Sequence, residues 1–155
     1  MHDTLPPPDH DPIAAEAPYP YQDLIGFRLT AWSEGHARIE LDLAEAHTNR
    51  HGIPHGGVHA GLLDTALGFC GCWCPWPGRV RRAMTLSLTV NYVGQPRGRR
   101  LIAEARQTGG GRKSYFGAGE LTDETGALIA TATAVMRWRG NGGDLRGDPA
   151  DAHGR

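Results

Sequence analysis

Apolar and polar residues change their period along the chain, and those changes mark its elements. Met84, Leu86, Leu88, Val90 and Tyr92 alternate with Thr85, Ser87, Thr89 and Asn91. That is the two-residue period of a strand with two unlike faces. Residues 27–32 and 36–43 alternate in the same way across Ser33-Glu34-Gly35, which predicts a hairpin. Further strands are expected over 101–107 and 115–121, joined across Gly109-Gly110-Gly111, and over 127–138, reached through Asp123-Glu124-Thr125-Gly126. Residues 19–26 read as a short helix, 44–56 as a glycine-broken loop, and 57–73 as the one long helix, stopped by Pro75 and Pro77. Two strands, one helix and then four strands predict an α+β fold with an antiparallel sheet.

The long helix is unusual. Between Val58 and Trp73 its only polar side chains are His59, Asp64 and Thr65. A helix apolar nearly all round is buried all round, so a curled sheet, a second copy of the chain, or both must cover it. Gly57, Gly61, Asp64, Gly68 and Gly71 fall near one stripe. Glycine within a helix costs about 1 kcal/mol relative to alanine, so a second helix or a thin ligand is expected to come close there. Asp64 on that stripe has two readings: a structural acceptor of hydrogen bonds, or a general base or nucleophile.

Composition narrows the classes. The 155 residues carry 16 basic and 17 acidic side chains, a balance that calls for neither nucleic acid nor an acidic membrane surface. No run approaches a membrane span, and residues 1–11 are proline-rich and polar without an apolar signal core, so a cytoplasmic protein is expected. Cys70, Cys72 and Cys74 sit too close along one segment to bridge one another and read as reduced packing residues. Residues 1–18 and 140–155, rich in Pro, Gly and Asp, read as flexible tails around one domain of 19–139. His47, His51, His55 and His59 recur every four residues, but the glycines and prolines among them break any helix, and no standard zinc spacing is met. No metal is expected.

The loop before the helix carries the chemistry. Asn49-Arg50-His51-Gly52-Ile53-Pro54-His55-Gly56-Gly57 brings two glycines to a helix N-terminus, where N–H groups are unpaired and the dipole is positive. A substrate oxygen could approach there as in an oxyanion hole; the blander reading is a sharp turn into the helix. Asp64 lies eight residues beyond Gly56, roughly 12 Å along a helix. One carbonyl cannot touch both in the same chain. A shared site therefore requires two antiparallel helices in a two-fold dimer.

The run Asn49-x-x-Gly52-x-x-His55-Gly56-Gly57, followed after six residues by Asp64-Thr65-Ala66, resembles the hotdog-fold thioesterases of the phenylacetic-acid-degradation type, over about residues 20–138. The resemblance implies a sheet of about six strands wrapped around one central helix, paired into a homodimer and often into a homotetramer. It implies an acyl-CoA thioesterase without a separate cofactor, coenzyme A being part of the substrate. By the same resemblance Asp64 is the general base or nucleophile and the Gly56 N–H polarises the thioester carbonyl. Asn49 positions water or substrate, His55 supports the loop, Gly57 lets the substrate approach, and Thr85 is the nearest match to an assisting hydroxyl. Arg112, Lys113 and Ser114 match the place of a nucleotide-contacting basic residue, with Arg97, Arg99 and Arg100 as a second patch; the alternative reading of each is a solvated loop. Two rival readings keep the fold: a hydratase or dehydratase of acyl thioesters, and a non-catalytic acyl-CoA-binding module. Phe69, Trp73 and Trp76 are candidates for an acyl pocket or for interface packing.

Overall fold

A computed structural model of the chain describes residues 6, 7 and 9–151. Two short helices, α1 (Pro12–Ala15) and α2 (Pro20–Ile25), precede the hairpin of β1 (Arg28–Ser33) and β2 (His36–Asp42). The long helix α3 (Gly56–Cys70) follows, then β3 (Arg79–Val80), β4 (Arg82–Tyr92), β5 (Arg100–Gly110), β6 (Ser114–Asp123), β7 (Leu128–Arg139) and β8 (Asp148–Pro149). Six strands make one antiparallel sheet in the order β1-β2-β5-β6-β7-β4, and α3 contacts every one of them. This is the expected α+β hotdog arrangement, a sheet curled around a single central helix.

The core follows from the two periods. His59, Leu62, Leu63, Ala66, Leu67 and Cys70 form the buried stripe of α3, at the spacing of one helix face. They meet Ile39, Leu41, Leu101, Ala103, Leu121, Ile129 and Met136 from the concave side of the sheet. The opposite face of α3, with Gly61, Asp64, Thr65, Gly68 and Phe69, is only half-buried. In one chain the helix is therefore not covered all round.

α3 ends at Cys70 rather than near residue 73, because its final carbonyls find side-chain donors. Trp32 Nε1 donates to Phe69 O at 2.8 Å, Tyr115 Oη to Leu67 O and Gly68 O at 3.1 and 2.9 Å, and Trp138 Nε1 to Gly71 O at 2.9 Å. These bonds satisfy groups that a helix end otherwise leaves bare. The β5–β6 turn also moves: the ladder continues through Gly109↔Phe116 and Gly110↔Tyr115, so the chain reverses at residues 111–113. Past the expected limit of the domain at residue 139 the chain folds back. β8 pairs with β3, and Arg79 and Arg81 donate to the carbonyls of Arg146, Gly147 and Gly142. The remainder of the expected tails, residues 1–5, 8 and 152–155, lies outside the described residues.

One polar residue holds the rim of the barrel. Asp123, 2% exposed, accepts from Arg97 N, Gly98 N, Thr125 N, Thr125 Oγ1 and Ala127 N. Burial alone would raise its pKa, but the Thr125 hydroxyl and the N–H groups of Gly98, Arg97 and Ala127 outweigh it and hold the carboxyl well below the ordinary carboxylate range. Its stabilisation is therefore complete above the unfolded pKa near 4 and lost as pH falls below it. Asp123→Ala, which leaves buried donors unpaired, is expected to cost about 2–4 kcal/mol and to flatten the acid limb of stability. Urea unfolding of both proteins from pH 7 down to pH 3 checks this; equal slopes in the two would contradict it.

Candidate active site

The first turn of α3 is built by its own approach loop. Asn49 Oδ1 accepts from His51 N at 2.8 Å and Ile53 N at 3.4 Å, and Asn49 N donates to Ile53 O at 2.8 Å. His55 is the N-cap of α3: its Nδ1 accepts from Gly57 N at 2.8 Å. The Gly57 N–H is thus occupied, while the Gly56 N–H has no acceptor among the described residues. Tyr92 Oη donates to Gly56 O at 3.1 Å and lays its ring beside Gly56, where a Cβ would stand 3.3 Å from Tyr92 Cε1. One free N–H therefore points outward from a fixed turn at the positive end of the helix dipole.

Asp64 sits two turns further on. Thr85 Oγ1 donates to its Oδ1 at 2.8 Å, which leaves the other carboxylate oxygen free. The pairing depends on a bulge. Thr85 pairs with the buried Met136 and Ser87 with Val135, so Leu86 is an extra residue in β4. Strict alternation would put Thr85 on the outer face, opposite Leu88 and Val90. The bulge turns it inward onto Asp64, a re-aiming that such irregularities commonly perform beside functional sites.

Asp64 and Thr85 share an open cleft of about 350 Å³ with Tyr19, Tyr21, Thr65, Gly68, Phe69, Cys72 and Ala83. Of the aromatic candidates, Phe69 faces this cleft. Trp76 lines a separate cavity and carries Arg146 over its ring, and Trp73 O accepts from Arg81. Tyr19 and Tyr21 were not singled out from sequence; two tyrosines flanking Pro20 carry no signal of where α2 will lie. Burial pushes the Cys72 thiol up to about 12, so it stays protonated and is no nucleophile.

Other expected residues lie apart from this cleft. Asn49 lines a second open cleft of about 650 Å³ with Thr48, Arg50, Pro54 and Arg99. Arg112 and Lys113 are exposed at the β5–β6 turn, and Ser114 pairs with Arg137 in the sheet. Arg100 is engaged by Asp42 at 2.7 Å, whereas the exposed Arg99 faces the Asn49 cleft. Within one chain, then, Asp64 and Thr85 meet. His55, Gly56 and Gly57 stand at the start of the same continuous helix, roughly 12 Å away, and Asn49 lies in the loop before it.

The histidine row does not converge. His47 Nδ1 accepts from Ala44 N and its Nε2 bonds Ile25 O, both within 3 Å, which makes it a brace between α2 and the loop. His59 is buried with both ring nitrogens unpaired, against the Tyr92 ring; burial, then the nearby His55, keeps its pKa down. Among the described residues no three His, Cys, Asp or Glu side chains gather as a metal would require.

The chain matches the model of the thioesterase superfamily over residues 51–130, from the loop before α3 into β7. A protein of Archaeoglobus fulgidus, provisionally named an esterase, is 25% identical over 115 residues, 74% of this chain and 71% of its own. Two solved structures share the fold. The PaaI protein of the E. coli phenylacetic acid degradation operon has a TM-score of 0.69 at 19% identity, covering 78% of this chain and 85% of that one. The smu.793 protein of Streptococcus mutans, solved with acetyl CoA, has a TM-score of 0.64 at 23% identity, covering 74% and 90%.

Proposed function

The chain belongs to the thioesterase superfamily, and from that premise we propose that it hydrolyses acyl-CoA thioesters, as a PaaI-like enzyme whose site spans two subunits. The observation that carries the reading is the pair of half-sites on one helix: a carboxylate oriented by Thr85 in an open cleft, and a free N–H at Gly56 about 12 Å away. Neither half suffices alone, and two antiparallel copies of α3 complete both.

The sheet is suited to that pairing. β4 is an edge strand, and Met84, Leu86, Tyr92 and Val93 on or beside it are 49–56% exposed. A long apolar edge is a template for a second chain. Pairing two β4 strands about a two-fold axis joins the sheets and sets the two helices side by side. A homotetramer would follow from pairing two such dimers.

In this site the thioester oxygen lies on the Gly56 N–H of one subunit and the carbonyl carbon faces Asp64 of the other. Asp64 takes a proton from water as the water oxygen bonds to carbon. The charge gathered on oxygen is held by the N–H and the helix dipole. The C–S bond then breaks, the coenzyme A sulfur takes the proton from Asp64, and the free acid leaves. Direct attack by Asp64 to give a mixed anhydride, hydrolysed in a second step, uses the same geometry; single turnover in ¹⁸O-water separates the routes by label in the carboxylate. Neither route needs a resident cofactor or metal. Asn49 has its amide NH₂ free to hold substrate or water, because its oxygen is engaged in the loop. Arg112, Lys113 and Ser114, or Arg99 beside the Asn49 cleft, are suited to the coenzyme A phosphates.

Among the described residues no helix is long and apolar enough to cross a membrane, and all three cysteines are free. Both fit a cytoplasmic place, where acyl-CoA is found. The direct test is release of free thiol from a panel of aromatic and aliphatic acyl-CoA esters. Turnover of at least one supports the reading. Tight binding with no turnover would make the chain an acyl-CoA-binding module, and water addition to an enoyl-CoA would make it a hydratase.

A further inference from the structure

The glycines of α3 are not equivalent. A Cβ at Gly57 would meet His55 Nδ1 at 2.9 Å, one at Gly61 would collide with the Tyr21 hydroxyl, and one at Gly71 with the Tyr115 ring. Side chains of the same chain crowd all three, the last of them the C-cap of α3. At Gly68 nothing lies within 4 Å of where a Cβ would stand. Its backbone is ordinary helix, so packing and conformation both leave it free to be alanine, which a helix prefers. Yet Gly68 lines the cleft that holds Asp64.

Asp64 and Gly68 stand one turn apart on the same side of α3, Cys72 follows two residues past its end, and all three line that cleft. From Asp64 to the end of α3 at Cys70 the path is roughly 9 Å, flanked by the rings of Tyr19, Tyr21 and Phe69. Beyond Cys72 lies a second cavity of about 100 Å³ that Cys72 also lines, together with Glu16, Trp32 and Trp76. Trp32, which lines that cavity, stands edge-on to Phe69 of the cleft with ring centroids 5.2 Å apart, and Cys72 borders both spaces.

We propose that the acyl group lies along α3 from Asp64 over the bare backbone of Gly68 to Cys72, and that these two residues select medium-length, unbranched acyl chains. Gly68 sets the width of the groove and Cys72 its end. The glycine is kept for the substrate, at a cost to the helix. The proposal rests on the thioesterase reading and deepens it.

The test compares kcat/KM for octanoyl-CoA and acetyl-CoA in wild type, Gly68→Ala, Gly68→Val and Cys72→Ala, with melting temperatures for each. Wild type is expected to favour octanoyl-CoA. Gly68→Ala should melt about 2–4 °C higher, a direction opposite to its effect on turnover. The octanoyl-to-acetyl ratio should fall by about tenfold or more in Gly68→Val and by less in Gly68→Ala. Cys72→Ala should move the optimum to decanoyl- or dodecanoyl-CoA. Should Gly68→Val fail to fold, the helix-favouring Gly68→Ala decides. Ratios unmoved in folded variants overturn the groove and leave the enzyme, as does a wild type that cleaves other acyl-CoA esters but neither of these two; a wild type that cleaves no ester of the wider panel overturns the thioesterase reading itself.

Discussion

Asp64→Asn should lower acyl-CoA hydrolysis by about 10²–10⁴-fold while the protein stays folded. The amide keeps the size of the carboxyl and still offers an oxygen to Thr85 Oγ1, which now donates to Asp64 Oδ1 at 2.8 Å. The half-buried position loses no packing atom. What disappears is the only property hydrolysis needs there, an oxygen able to take a proton from water or to attack carbon. Substrate binding should change little, because in the proposed site the carbonyl is held by the Gly56 N–H and not by Asp64, so the loss should fall in kcat rather than KM. The check is free-thiol release alongside circular dichroism and melting. A loss smaller than about tenfold in a folded variant would return Asp64 to a structural role.

Leu86→Glu should be nearly as damaging without touching either half-site. Leu86 is the extra residue of the β4 bulge and 55% exposed. A carboxylate there brings like charges together when two β4 edges pair about a two-fold axis, and edge charge is a common way of preventing such pairing. The chain itself should fold, since β4 still pairs with β7 along its other side. Sedimentation should show the dimer replaced by monomer, and hydrolysis should fall by about a hundredfold or more where the monomer prevails, because each chain then holds a carboxylate without its N–H. Full activity in a monomer would show that one chain makes a whole site.

Much of this architecture was legible in the residues. The two-residue period of β4 and the apolar run of α3 predict strand and helix because each period reflects which faces are buried. The spacing from Gly56 to Asp64 sets the two groups of the proposed site roughly 12 Å apart on one helix, which is why that proposal calls for a second chain. Other features depend on tertiary contacts that leave no periodic trace. Thr85 meets Asp64 only because Leu86 adds a residue to β4, and nothing in Thr85-Leu86-Ser87 announces a bulge. The end of α3 is set by Trp32, Tyr115 and Trp138, which lie far from it in sequence. Tyr19 and Tyr21 reach the cleft through the placement of α2. Residues 140–151 have a tail-like composition, yet Arg79 and Arg81 hold their carbonyls.

The shared site is tested most directly by mixing two inactive proteins. Gly56→Pro removes the N–H at the first position of α3, where proline suits a helix, and His55 already has the extended backbone that must precede proline, φ −69° and ψ 136°. Alone, Gly56→Pro and Asp64→Asn should each be inactive. In a mixed dimer one site regains both groups and the other loses both. After subunit exchange of equal amounts, half the dimers are mixed, and about one quarter of all sites should be active. Recovery near that level would establish a site built from Gly56 of one subunit and Asp64 of the other. No recovery, with mixed dimers shown to be present, would contradict it.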